Sequence, residues 1–199
     1  MPKIVDHEKR KEQIAEAAWR VIRREGLDGV SVRRIAEEMG ISLGSLRHYF
    51  DSQDELLSYA MRLISKRVRL RIQSLPLSGD ALSDIELILA EMAPLDEERL
   101  AESEVWLAFA GKAVSDPSVR ELSLEVHEEL ALAIRRLIEV LVDRKAARDG
   151  INVELEARRL HALLDGLVVH HTTFSERLDR KELMETISYH LKSLLVGAP

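Results

Sequence analysis

Residues 31–50, SVRRIAEEMGISLGSLRHYF, contain the pattern that decides the fold of the surrounding chain. Apolar residues recur at helical spacing over 32–39 behind Ser31, a good N-cap, and Gly40 is suited to end that helix. Ser42 can cap a second helix, which carries Leu43, Leu46, Tyr49 and Phe50. The pattern predicts two short helices joined by a three-residue turn, the helix-turn-helix arrangement that places its second helix in the major groove of DNA.

Three segments within residues 31–57 extend this pattern: IAEEMGIS, SLRHYF and DSQDELL. Together they resemble the second, third and fourth helices of the TetR family of bacterial transcriptional regulators. The resemblance implies an N-terminal three-helix DNA-binding domain, followed by a helical ligand-binding and dimerisation domain.

Composition favours an all-α fold for the 199 residues. Apolar residues make up 46% of the chain and aromatic residues only 4%, and no strand-type alternation persists beyond a few positions. Helical periodicity and capping signals predict about nine helices. Their approximate ranges are 7–25, 32–39, 42–49, 53–74, 81–93, 97–114, 117–148, 153–174 and 180–196.

A break at Pro76 and Gly79 coincides with a change in charge. Residues 1–74 hold 15 Lys and Arg against 11 Asp and Glu, whereas the rest of the chain holds 14 against 24. DNA phosphates attract the basic part and repel the acidic part. We therefore predict a DNA-binding domain over residues 1–75 and a separate helical domain over residues 76–199.

Two features of the sequence predict where the protein is found. It contains no Cys, so neither a disulfide framework nor a thiolate metal site is expected. The N-terminus MPKIVDHEKRK lacks the apolar region of a signal peptide, and no stretch approaches the roughly 18 apolar residues of a membrane span. These features predict a soluble cytoplasmic protein with no membrane partner.

In the second helix of the motif, residues facing away from Leu46 and Phe50 are expected to enter the DNA groove. Arg47 is suited to a bidentate contact with guanine O6 and N7. Tyr49 either packs as an aromatic residue or, as the resemblance implies, places its hydroxyl on a phosphate. The first turn of the preceding helix has free N–H groups that favour phosphate oxygens. The predicted DNA-contact residues are Ser31, Val32, Arg33, Ser42, Leu43, Gly44, Ser45, Arg47, His48 and Tyr49.

The sequence offers no visible catalytic apparatus. It has no Ser/His/Asp order with supporting turn geometry, no glycine-rich phosphate loop and no metal-ligand spacing. The histidines His161, His170 and His171 do not suggest a metal site, because the adjacent pair points about 100° apart on a helix. We therefore predict a protein that is not an enzyme and that uses no metal or cofactor.

A short recognition helix covers few base pairs, so specific binding normally needs two of them, about 34–36 Å apart in a two-fold dimer. The last two helices carry more apolar surface than a terminal hairpin should expose, and the family resemblance implies a four-helix bundle from two subunits. Gly166 either allows close helix approach at the dimer axis or breaks its helix. The predicted dimer interface contains Leu160, Leu164, Gly166, Leu167, Ile187, Leu191 and Leu195.

Residues 157–183, together with EVWLAF at 104–109, resemble the C-terminal domain of the choline-responsive BetI-like branch of the TetR family. The resemblance implies a cavity for a small-molecule effector among the middle helices. Trp106 and Phe109 are candidates for its apolar wall, although residues of this kind are more often simply part of a core. The candidate lining residues are Met92, Trp106, Phe109, His127, His161 and His170.

These observations predict a DNA-binding transcriptional regulator, namely a ligand-responsive repressor that binds a palindromic double-stranded operator as a homodimer. An alternative from another class is a helical protein-interaction module that uses the helix-turn-helix for protein contacts. The basic residues Arg33, Arg34 and Arg47 favour DNA. Loss of all binding on adding salt would also favour DNA, whereas persistence would favour protein contacts.

Overall fold

The computed structural model describes the backbone of residues 2–197 and the side chains of residues 7–197. This part of the chain is 75% helical, with nine α-helices, one 3-10 turn at Leu27–Gly29 and no strands. The predicted all-α class and helix count are confirmed. The helices are α1 (Pro2–Glu25), α2 (Val32–Met39), α3 (Leu43–Arg47), α4 (Gln53–Gln73), α5 (Ala81–Ala90), α6 (Glu97–Lys112), α7 (Pro117–Asp143), α8 (Val153–Thr173) and α9 (Arg180–Lys192).

Several helix ends differ from the predicted ones. Helix α1 begins five residues before the predicted start, and α5, α7 and α9 end before their predicted last residues. After α7, Lys145 has a left-handed φ of 56°, which ends the helix. The chain segments beyond α7 and α9 then pair with each other, because the Arg148 N–H donates to the Leu194 carbonyl and the Val196 N–H to the Ala146 carbonyl. These backbone groups are therefore not available to prolong either helix.

The chain divides into two compact units that are not continuous in sequence. The first contains residues up to Arg69 together with Glu104–Ser123, and the second contains Leu70–Ser103 and the residues from Leu124 onward. This grouping differs from a linear division near residue 75, since residues 104–123 belong with the N-terminal part. The functional division into 1–75 and 76–199 stays a prediction.

The core of the first unit is built on the apolar face of α1, which packs against α2. Trp19 on this face is buried, and its indole Nε1–H donates a hydrogen bond to the Ala60 carbonyl of α4 at 3.0 Å. This bond satisfies the only polar atom of the indole. The fully buried side chains of this unit include Ile14, Ile35, Leu46, Phe50, Leu56 and Met61.

In the second unit, α9 packs against both α5 and α8. The unit also contains a charged cluster: Arg71 at the end of α4 donates to the buried Glu102 carboxylate at 2.7 Å and to Glu91 at 2.9 Å. Pairing at these distances offsets the cost of burying the Glu102 charge.

Among the described residues, no helix is both long and apolar enough to cross a membrane.

Candidate nucleic-acid interface

Helix α2 has a well-formed cap at each end. The Ser31 hydroxyl accepts a hydrogen bond from the Arg34 N–H at 3.1 Å. At the other end Gly40 adopts the left-handed conformation with φ 64°, so that its N–H binds the Glu37 carbonyl and the Ile41 N–H binds the Ala36 carbonyl. This is the Schellman arrangement, and it turns the chain sharply toward α3. The predicted caps of this helix, Ser31 at its start and Gly40 at its end, are confirmed.

Helix α3 is shorter than predicted. The Ser42 hydroxyl accepts from the Ser45 N–H at 3.1 Å, as expected for the cap, but the helix ends at Arg47 and not at Tyr49. The reason lies in the last turn, where the N–H groups of Tyr49 and Phe50 both bind the Leu46 carbonyl. His48 and Tyr49 therefore lie in the turn that follows the recognition helix.

The predicted DNA-contact residues are all at least partly accessible in the structure. Leu46 and Phe50 are buried, whereas Arg47 on the other side of α3 is exposed. Leu43 was assigned both to the apolar stripe and to the contact set, and it is 37% exposed, so its side chain is only partly covered. The exposed contact residues are Arg33, Ser42, Leu43, Gly44, Ser45, Arg47 and His48, and the half-buried ones are Ser31, Val32 and Tyr49.

Tyr49 is held in a small aromatic cluster with two histidines. Its ring centroid lies 4.8 Å from that of His7 on α1 and 5.4 Å from that of His48. The ring packs against the two histidines, yet Tyr49 stays half-buried and not fully buried. Both alternatives, a packing role and a phosphate contact, are therefore compatible with the structure. His7 could not be found from the sequence, because nothing in the local pattern relates it to a residue 42 positions later.

The two arginines at the start of α2 have different environments. Arg33 has an 82% exposed side chain, and its partner Glu37 lies at 3.1 Å one helical turn away. An exposed pair of this kind contributes little, so Arg33 can exchange it for a phosphate. Arg34 instead donates from Nε and Nη2 to the Glu25 carboxylate, with a shortest distance of 2.7 Å. It therefore attaches α2 to the end of α1.

Glu25 is the centre of a wider ion-pair network. Arg24 binds both Glu25 and Glu38, and Arg20 binds Glu38 at 3.0 Å. Hydrogen bonds from Arg34 and then from Arg24 lower the pKa of Glu25 to about 2. Hydrogen bonds from Arg20 and then from Arg24 lower the pKa of Glu38. These pairs link the end of α1 to both ends of α2, the helix that precedes the recognition helix.

The candidate lining residues of the effector cavity lie in both units. Trp106 and Phe109 belong to the first unit, where Phe109 is fully buried. Met92 and the three histidines belong to the second unit, which contains two clefts of about 490 and 130 Å³. His161 lines the smaller cleft, and the other five candidates line neither of these two. The assignment of the six residues to one cavity stays a prediction.

Two of these candidates are brought together. The rings of His127 on α7 and His161 on α8 stack with centroids 4.5 Å apart, and the Asp165 carboxylate lies 3.6 Å from His161 Nε2. Burial lowers the pKa of His161 and raises the pKa of Asp165. Both shifts favour the uncharged forms of these two groups.

The residues assigned to the dimer interface divide into two groups. Five of them are buried within the subunit itself: Leu160, Leu164, Leu167, Ile187 and Leu191. Burial within the subunit leaves these five side chains little surface for a partner, and their place in a dimer interface stays a prediction. Gly166 and Leu195 keep part of their surface, and α8 continues through Gly166 without a break.

Two protein-family models match this chain and together cover most of it. Residues 14–67 match the model described as bacterial regulatory proteins, tetR family. Residues 81–196 match the model described as the C-terminal part of BetI-type transcriptional repressors. The first range includes α2 and α3, and the second includes α8 and α9.

Curated relatives match over nearly the whole chain. The HTH-type transcriptional regulator PksA of Bacillus subtilis is 41% identical over 197 residues, covering 98% of this chain and 95% of the relative. The regulator BetI of Vibrio campbellii is 27% identical over 199 residues, covering 98% and 96%. These relatives are transcriptional regulators and not enzymes, in agreement with the prediction of a non-enzymatic protein.

Solved structures show the same fold. A transcriptional regulator from Rhodococcus sp. Rha1 aligns with a TM-score of 0.78 at 27% identity, covering 94% of this chain and 97% of that one. A regulator from Saccharomonospora viridis, solved in complex with choline, aligns with a TM-score of 0.73 at 24% identity, covering 94% and 95%.

The Glu25 network leads to a prediction about acid stability. The folded-state pKa of Glu25, about 2, lies below its ordinary value of 4.5, so its contribution is complete above pH 4.5 and is lost as the pH falls toward 2. At pH 7 we expect Glu25→Gln to unfold at a lower urea concentration than the wild type, and this difference to shrink steadily below pH 4.5. Circular dichroism measured at several pH values tests this.

A matched control is Glu121→Gln, which changes an exposed carboxylate of the same unit. It should shift the urea midpoint little at any pH. A difference between Glu25→Gln and the wild type that stays constant from pH 7 to pH 3 would show that the charge of Glu25 does not stabilise the fold.

Proposed function

Because the chain belongs to the TetR family of bacterial transcriptional regulators, we propose that it is a repressor that binds a palindromic DNA operator as a homodimer and releases it when a small effector binds. The observation that carries this proposal is that α3 has one buried and one exposed side. Leu46 faces the core, whereas Ser45 and Arg47 are exposed on this second helix of the motif.

The exposed residues of the motif divide between base contacts and phosphate contacts. Arg47 has no ion pair within residues 7–197, so its guanidinium is available for guanine O6 and N7. Arg33 and the free N–H groups in the first turn of α2 are suited to one phosphate, and the Tyr49 hydroxyl to another. Phosphate contacts fix the orientation of the protein on the duplex, whereas Arg47 supplies sequence preference.

We place the dimer surface on the accessible side of α8, because five of the predicted interface residues are buried within the subunit. Ala162, Gly166, Val169 and His170 follow at helical spacing on the accessible side of this helix. A Cβ added at Gly166 meets no atom of its own subunit within 4 Å. Glycine in the middle of a helix costs about 1 kcal/mol relative to alanine, and close approach of a partner helix gives a reason for it.

The effector is proposed to bind in the helical body, residues 76–199, with Trp106 as one wall of its cavity. Trp106 is half-buried, so part of its indole is accessible to a ligand. Choline is a suitable first probe, because the similar regulator from Saccharomonospora viridis was solved with choline bound. An effector that favours a conformer with a different spacing of the two recognition helices lowers operator affinity.

The DNA role is tested by selecting bound sequences from a random DNA pool and then measuring affinities of variants. Arg47→Ala is expected to cost about 1–3 kcal/mol of binding and to relax preference at one symmetric pair of base positions. Tyr49→Phe keeps the packed ring and loses the hydroxyl, so it should weaken binding nearly equally for all sequences. Fluorescence anisotropy with the selected site and with single-base variants separates the two patterns.

Arg136→Ala, which removes an exposed arginine of α7, is the matched control and should leave affinity nearly unchanged. Wild-type affinity should also fall steeply between about 50 and 200 mM salt. If the wild type selects no common sequence at low salt, the proposed function is wrong. Binding to another macromolecule that persists at high salt would favour the protein-interaction alternative.

The dimer surface is tested by adding bulk at Gly166. Gly166→Leu places its side chain in space that the subunit leaves open, so the monomer should fold with unchanged helix content. The dimer should dissociate about tenfold more readily or more, because the added carbons prevent close helix approach. Analytical ultracentrifugation measures the dissociation, and circular dichroism measures the helix content.

Gly111→Leu is the control for this variant, since Gly111 also lies inside a helix with no atom within 4 Å of an added Cβ. It should leave the dimer intact. An unchanged dimer in Gly166→Leu would mean that α8 does not approach a partner at this position.

Effector binding is tested by titrating choline while following tryptophan emission and operator binding together. The chain has two tryptophans, so Trp106→Phe removes the signal from the proposed cavity and leaves Trp19. We expect an effector to lower operator affinity and to change the emission of the wild type but not of Trp106→Phe. A ligand that releases DNA with equal emission changes in both proteins would place the cavity away from Trp106.

A further inference from the structure

Three side chains that can ligate a metal converge in the second unit. His127 extends from α7, and His161 and Asp165 lie one helical turn apart on α8. One ligand atom from each of the three lies within 4.8 Å of the other two. Sequence spacing relates His161 to His170 and His171, but it does not reveal His127, which is 34 residues away from His161 in the chain.

The central residue of this cluster has an unsatisfied polar atom. His161 is only 6% exposed, and its Nε2 has no hydrogen-bond partner. The Asp165 carboxylate oxygen is 3.6 Å away, which is too far for a hydrogen bond. Buried polar atoms nearly always have a partner, so an unpaired imidazole nitrogen that faces a carboxylate requires an explanation.

We propose that His127, His161 and Asp165 bind one divalent first-row transition-metal ion, with Zn²⁺ as the representative case. Two imidazole nitrogens and one carboxylate oxygen form a ligand set that zinc accepts readily. Mg²⁺ and Ca²⁺ prefer sites made of oxygen ligands, so this set selects against them.

The positions of the three residues suit this role. Residues four apart on a helix lie on the same face, so His161 and Asp165 can hold one ion from neighbouring turns, as histidines at this spacing do in zinc enzymes. Ligand atoms around a tetrahedral zinc ion are about 3.3 Å apart, given bond lengths near 2.0–2.2 Å. The distance of 3.6 Å between His161 and Asp165 is already close to this value. His127 is exposed, so its side chain can rotate to complete the set.

A cleft of about 130 Å³ lies beside the cluster, and His161 is the one member of the three that lines it. This volume is large enough to hold water molecules. Arg135 and Arg158 line the same cleft, but Glu154 lies 3.8 Å from the first and 3.0 Å from the second. The Glu154 carboxylate therefore offsets part of their repulsion of a cation.

A metal at this site would join α7 to α8. Binding to the folded protein alone stabilises it in proportion to the logarithm of free metal concentration. This inference does not depend on the DNA role, because metal affinity and thermal stability are measured on the protein without DNA.

The test uses full-length, tag-free protein that has been treated with a chelator. Zn²⁺ is titrated by calorimetry against a competing chelator, and zinc X-ray absorption reports the ligands. The wild type is expected to bind one Zn²⁺ per chain with two imidazole ligands and to show a raised melting temperature. His127→Ala and Asp165→Asn are expected to lose at least about tenfold in affinity, since even outer-shell changes cost 10–100-fold.

His127 is exposed, so its replacement should leave the fold intact, and circular dichroism checks this. His7→Ala is the control, because it removes a histidine of the other unit that lies near His48. It should bind Zn²⁺ like the wild type. The proposal is overturned if the wild type binds no Zn²⁺, if folded His127→Ala binds it equally well, or if His7→Ala loses as much affinity.

Discussion

The recognition helix α3 has only five residues, and this shortness is the constraint on which the DNA-binding part depends. An isolated helix of this length is not stable in water, because helix nucleation is costly and few hydrogen bonds follow. Its position must therefore come from packing. Leu46 and Phe50 are almost completely buried, and the Ser42 and Gly40 caps fix how the chain enters. The exposed face of α3 is defined because the opposite face belongs to the core.

The arginines of the motif fall into two groups according to the ion pairs that they form. Arg34 is held by Glu25 in a network that includes Arg24 and Glu38, so it helps to hold α2 against the end of α1. Arg33 has one exposed partner on its own helix, and Arg47 has none within residues 7–197, so neither forms an ion pair with another helix. The net charge of the N-terminal part is only slightly positive, because its 11 Asp and Glu offset most of its 15 Lys and Arg.

In the second unit, α8 presents three different surfaces. One side, with Leu160 and Leu164, fills the subunit's own core. A second side carries Gly166 with open space around it, and a third carries His161 and Asp165 facing His127. The most apolar stripe of a helix is the one that its own subunit covers. For this reason the α8 and α9 leucines predicted for the dimer interface from the hydrophobic pattern lie in the subunit's core.

The sequence by itself determined the all-α class, the caps at Ser31 and Ser42, and the family, because these depend on local spacing and capping chemistry. Tertiary structure alone decided that Tyr49 packs on His7 and that His127 meets His161. Each of these depends on residues far apart in the chain being brought together. Periodicity shows which side of a helix is apolar, but only the packed structure shows which neighbour covers it.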